Sequence, residues 1–183
     1  MQLHLMTIDQ KVFLESVGVQ NESEAIKNSV VAAFQRNRVY KGETFISSSD
    51  RKKLRGALCV DIKGLASGYT HFVSEDVHCN NIQSLADKLT KQFSGILDDG
   101  RFKIGTAQKS LNLYLKFLWC LGIHKQEPPH CPLDGLILKK VKIYNAWTKL
   151  DCMDTYKKWI GSVRVFAQPQ SLSEWELKYW KKR

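Results

Sequence analysis

Seven of the ten histidines and cysteines in this chain of 183 residues fall between His71 and Cys131: His71, His78, Cys79, Cys120, His124, His130 and Cys131. Imidazole nitrogen and thiolate sulfur are the donors zinc prefers, four in a tetrahedron or three with a water where the metal is catalytic. Cys120 and His124 stand four apart, so a helix would put them on one face, and His130 with Cys131 follows a Pro-Pro turn. Cys120, His124, His130 and Cys131 are therefore candidate Zn2+ ligands. The alternative is a set of reduced, buried cysteines with a turn histidine. Upstream, Asp50 and Asp61 are two carboxylates able to hold Mg2+, and Lys63 could polarise an attacked phosphate, as metal-assisted phosphodiester cleavage requires. Otherwise these are ordinary surface and ion-pair residues of a helix.

The three residues read Asp-x10-Asp-x-Lys, which resembles the active-site pattern of the PD-(D/E)xK nuclease superfamily over residues 50–63. The resemblance implies a metal-dependent nuclease with Asp61 and Lys63 on a strand, whereas the apolar spacing of this stretch favours a helix. A second resemblance lies in Asp98 to Lys109. Gly100 and Gly105 permit close backbone approach, Thr106 can cap, and Arg101, Lys103 and Lys109 surround the start of a long apolar helix. This stretch is similar to the glycine-bearing hairpin of helix-hairpin-helix DNA-binding proteins, most closely at Ile104-Gly105-x-Ala107. That resemblance implies a phosphate seated on backbone amides at Gly105 and Thr106. A plain turn between helices with a normal cap is the competing account.

Charge favours the same class of partner. The 28 basic and 18 acidic side chains divide as 12 and 12 up to Gly100 and as 16 and 6 beyond it, so the whole net charge of +10 belongs to the C-terminal half. Within the balanced half, Arg36, Arg38, Lys41, Arg51, Lys52, Lys53 and Arg55 form a second cluster, offset only by Glu43 and Asp50. Clustered cations attract a polyanion, so DNA or RNA is the partner expected at Arg51, Lys52, Lys53, Arg55, Arg101, Lys103 and Lys109. Trp175, Tyr179 and Trp180 among Lys178, Lys181, Lys182 and Arg183 add a stacking surface for single strands, or alternatively a docking stripe. Trp119, Trp159 and Trp175 suit the core.

The elements that must carry these residues are helices. Apolar residues spaced by three and four, each preceded by a capping residue, predict helices led by Thr7, by Asn21 or Ser23 and by Ser48 or Ser49. Others follow from about Asn81, through Thr106 to Cys120, after Thr148 with Asp151, and after Ser171 with Glu174. The fold class expected is mostly α: a single compact bundle of six or seven helices, helices 7–68 packing on the basic half 81–183. One short hairpin has a place at 66–77 or 135–144. An odd number of irregularly spaced cysteines and no signal-peptide pattern suggest a cytoplasmic protein without a disulfide framework. No run of 18 uncharged apolar residues provides a membrane span. No P-loop, nucleophile elbow, dinucleotide fingerprint or His-Glu-x-x-His is present. Nucleic-acid binding is the first functional reading, with a metal-dependent enzyme and a protein-interaction module displaying exposed tryptophans as alternatives.

Overall fold

The computed structural model describes residues 6–42 and 46–180, and all statements below refer to these. Their regular structure is helical: α1 Ile8–Val17, α2 Glu22–Phe34, α3 Ser48–Ala66, α4 Glu75–Phe93, α5 Ile104–Cys120, α6 Gly135–Lys140, α7 Met153–Ala167 and α8 Leu172–Tyr179. Short 3-10 turns occupy Ser67–Thr70, Asp98–Gly100 and Trp147–Lys149. Eight α-helices thus stand where six or seven were expected, because residues 135–140 are helical.

Local chemistry explains most boundaries. Thr7 and Gln10 close a reciprocal capping box on α1, and Gly18 ends it in the left-handed region at φ 67°. Asn21 caps α2 and Ser47, one residue before the expected pair, caps α3. Both hairpin sites are corrected. Ser74 caps α4, so this helix begins six residues before Asn81 and absorbs the end of 66–77. In 135–144, the Asp134 carboxylate accepts from the amides of Leu136 and Ile137 and starts α6 instead. Among the described residues the β structure is one isolated antiparallel bridge, between Tyr40 and Leu97.

Helix α5 is the axis. Every residue from Ile104 to Cys120 is buried, and α2 makes the most extensive contact with it, followed by α4. One continuous apolar core runs from Phe13 to Leu177 and takes residues from all eight helices. Fully buried aliphatics such as Leu54, Leu58, Ile62, Ile82, Leu89 and Leu111 each contribute about 2 kcal/mol by leaving water. No helix is long and apolar enough to cross a membrane among the described residues. The expectation of exposed tryptophans is also corrected: Trp119 and Trp175 are buried, and Trp147, Trp159 and Trp180 are half-buried against the core.

Candidate nucleic-acid interface and an adjoining cleft

The two expected metal sites do not assemble. Asp50, Asp61 and Lys63 all lie on α3. Asp50 and Asp61, eleven residues apart, share a face but are separated by about 16 Å of helix rise, too far to ligate one ion at about 2 Å. Lys63 points elsewhere, two residues beyond Asp61. Each has another partner. Asp50 accepts from Ser47 and Lys53, Asp61 pairs with Lys88 at 2.6 Å, and Lys63 pairs with Glu22 at 3.1 Å. Among the described residues, no group of three or more His, Cys, Asp or Glu side chains is arranged to hold a metal ion. Cys120, His124, His130 and Cys131 are all buried. Burial pushes the Cys120 thiol up to about 12 and raises Cys131 further still, opposing the thiolate that zinc needs.

The start of α5 is equally occupied. The Gly105 amide donates to the Leu150 carbonyl at 2.8 Å, and the Ile104 amide donates to Asp151 Oδ1 at 3.2 Å. An added Cβ on Gly105 would lie 1.9 Å from the Trp147 carbonyl oxygen, so this glycine serves backbone packing against the Trp147–Lys149 turn. The cations nearby are paired with acids: Arg101 bridges Asp87 and Asp151, Lys103 faces Asp98 and Asp99, and Lys109 meets Asp134 at 2.8 Å. Thr106 is buried, where its hydroxyl accepts from Asn37 Nδ2 at 2.9 Å. That bond anchors the turn carrying Arg36 and Arg38.

The other basic cluster is gathered by the fold. After α2 the chain runs back past α3, and the Lys41 amide donates to the Ile96 carbonyl at 3.0 Å. The Arg51 guanidinium sits 5.0 Å from the Tyr40 ring centre, and that of Arg55, one turn on, 5.2 Å from the Phe34 ring centre. The two rings are 5.7 Å apart. Lys52 and Lys53 are exposed on the same helix, and Arg38, 76% exposed, touches Asp98. A ring beside each guanidinium helps to hold it in place.

Beside this face opens a cleft of about 600 Å³, within the range of small-molecule sites. Phe13, Phe117, Trp147 and Trp180 supply aromatic surface, and Arg36, Gln35 and Asn28 lie along the α2 side. Its floor is α5, where Lys109 lines the cleft and is tied to Asp134, while Glu176, also on the lining, is held by Lys116 buried beneath it. The Lys109 ammonium is 5.9 Å from the Trp147 ring centre, and that of Lys116 is 6.0 Å from Trp180 and 3.7 Å from Phe13.

About a quarter turn round α5 from the cleft-lining residues, a buried polar network joins α4, α5, α7 and the 121–134 loop. Asn112 Oδ1 accepts from His78 Nε2 at 2.9 Å, and Asn112 Nδ2 donates to the Tyr156 hydroxyl at 3.0 Å. Tyr156 therefore gives its proton to His130 Nδ1, 2.8 Å away, leaving hydrogen on His130 Nε2. That nitrogen lies 3.4 Å from Glu75 Oε1 without an aligned bond. Desolvation holds both imidazoles down at about 3, with the neighbouring histidine acting the same way on His78, and Arg164 and Lys157 on His130.

The sequence reading missed Asp134, Glu176, Lys116 and Trp147 as site residues. Its one available signal was lysine at 109 and 116 inside an otherwise apolar helix, which demands a buried partner. Comparison with protein-family models, curated proteins and solved structures finds no match.

Proposed function

We propose that this chain binds DNA or RNA through the basic face formed by Arg38, Lys41, Arg51, Lys52, Lys53 and Arg55. The observation that supports the reading is the placement of Arg51 and Arg55 of α3 against the Tyr40 and Phe34 rings, so that the segment carrying Arg38 and Lys41 runs alongside that helix. Phosphate contacts need side chains that can exchange counterions for phosphate oxygens, and exposed lysines and arginines on a helix do this. Arg101, Lys103 and Lys109, paired with acids and only 34%, 17% and 10% exposed, are left out of the interface, whereas Arg38 and Lys53 stay 76% and 67% exposed beside their partners. Thr106 contributes indirectly, by holding Asn37. Phosphate contacts confer no sequence preference, so the binding is set by backbone charge.

Electrophoretic mobility shift with duplex and single-stranded probes at low and moderate salt tests the reading. The logarithm of affinity should fall with the logarithm of salt by about 0.7 to 0.9 per phosphate neutralised. Joint Arg51→Glu and Arg55→Glu substitution should abolish the shift, whereas Lys103→Gln should leave it intact. Absence of any shift at low salt would overturn the proposal, as would equal loss in the Lys103 variant.

A further inference from the structure

We infer that the cleft between α2, α5, α6 and α8 is a binding site for a nucleoside phosphate, its ring held on the aromatic walls and its phosphate at Arg36. The inference stands independently of the basic face.

Three features of the cleft select this ligand. Its walls are rings: Phe13 and Trp180 meet edge to face with centres 4.9 Å apart, and Trp147 stands beside Lys109. A flat π system gains most from such surfaces, because every base has a stacking face. Its charges are balanced, since Asp134 neutralises Lys109 on the lining and Lys116, buried beneath, neutralises Glu176. A bare anion placed there would meet two carboxylates and one ammonium group. The edge of a base, which presents donors and acceptors side by side without net charge, matches this alternation. Finally, the unmatched charge is at the rim. Arg36 lines the cleft, is exposed, and among the described residues appears in none of the ion pairs. Asn28 and Gln35, on the same side, offer amides that both donate and accept. A neutral polar ring with an anionic tail satisfies wall, floor and rim together.

Arg36 is also one of three non-glycine residues with positive φ, at 53°. The turn that imposes this conformation is fixed by Asn37, which donates to the Ala33 carbonyl at 2.9 Å and to Thr106. The fold thus holds an arginine at the lip in a conformation glycine would adopt more easily.

Two sources can deliver this chemistry: a free mononucleotide, or an unstacked nucleotide of a bound strand. Titration of the full chain with adenosine 5′-monophosphate, uridine 5′-monophosphate, adenosine and inorganic phosphate, read by tryptophan fluorescence and calorimetry, tests the inference. Saturable binding of a mononucleotide is expected, with adenosine weaker and inorganic phosphate silent. Trp180→Ala should weaken it at least tenfold. Gln35→Glu, at an exposed position that places a negative charge on the rim, should do so without disturbing the fold. Arg36→Gln should erase the difference between the monophosphate and adenosine. The strand arm uses a short oligonucleotide on wild type and on the joint Arg51→Glu, Arg55→Glu variant. A free-nucleotide site keeps its mononucleotide affinity in that variant, while a site fed by the strand responds only to the oligonucleotide and loses it. No saturable signal with either class of probe would overturn the inference, as would inorganic phosphate binding as tightly as a nucleotide. Loss of the gel shift with retained mononucleotide binding would sink only the basic face, whereas absence of mononucleotide binding together with an oligonucleotide affinity unchanged by Trp180→Ala would sink only the cleft.

Discussion

Lys116 and Glu176 form an ion pair in the interior of the bundle, their side chains 1% and 4% exposed, although sixty residues separate them in the chain. Two charges removed from water together are tolerable, but one alone is not, because the survivor keeps its desolvation cost without a counter-charge. Lys116→Met should therefore lower stability by about 3 to 5 kcal/mol, and adding Glu176→Leu should recover a large part of that loss. Urea unfolding of the two single variants and the double variant measures it. Independent, additive losses would show that the pair has no coupling.

Stability should fall as acid is added well before the carboxylates titrate. His78 and His130 are held at about 3, below the ordinary 6.5, so the fold favours their neutral forms and the unfolded chain binds more protons between those values. Their contribution is fully present above pH 6.5, declines as pH drops through the window, and is exhausted near pH 3. With both imidazoles acting, the slope between pH 4.5 and 6.5 approaches about 2.7 kcal/mol per pH unit. Glu75, Asp76, Lys157 and Arg164 are the charged groups beside the network, paired as Glu75 with Arg164 and Asp76 with Lys157. His130→Gln should reduce the slope by about half, read from urea midpoints at several pH values. An unchanged slope would remove His130 from the account.

Glycine-to-alanine changes should have opposite signs at two helical positions. Gly161 within α7 meets nothing within 4 Å, so Gly161→Ala should stabilise the fold by up to about 1 kcal/mol through helix propensity. At Gly105 the new methyl would collide with the Trp147 carbonyl, 1.9 Å away, and displacing that backbone should cost at least about 2 kcal/mol. Because the Trp147 turn forms one wall of the cleft, Gly105→Ala should also weaken ligand binding there. Thermal melts of both variants give the signs directly.

What could be read from the residues alone was local. The Thr7 cap and Ser171 with Glu174 act within one helical turn, and the structure forms each as its position implies. Thr148 with Asp151 has the same pattern, yet the helix there begins at Met153 and is preceded by Cys152. The Asp151 carboxylate is drawn instead to Arg101 and the Ile104 amide, a tertiary claim stronger than a local cap. The nuclease-like triad failed for the converse reason, since its residues are near in sequence but spread along α3. The cleft was invisible because Lys109 with Asp134 and Lys116 with Glu176 become pairs only when α6 and α8 fold onto α5.

Arg36 should show stability and binding pulling in opposite directions. Its φ of 53° lies in the left-handed region, where a side chain costs about 1 kcal/mol relative to glycine. Arg36→Gly relieves that strain, although glycine's greater freedom in the unfolded chain offsets part of the gain, so a net stabilisation of about 0.5 kcal/mol is expected. The same change deletes the unpaired cation at the lip of the cleft and one charge beside the basic face. Melting temperature should therefore rise by a degree or more while mononucleotide affinity drops, and the salt dependence of nucleic-acid binding should become shallower. Arg36→Ala separates the effects, since it removes the charge and keeps the strained backbone: it should bind as weakly as the glycine variant without its added stability. Retained affinity in both variants would mean that the strained arginine has no part in recognition.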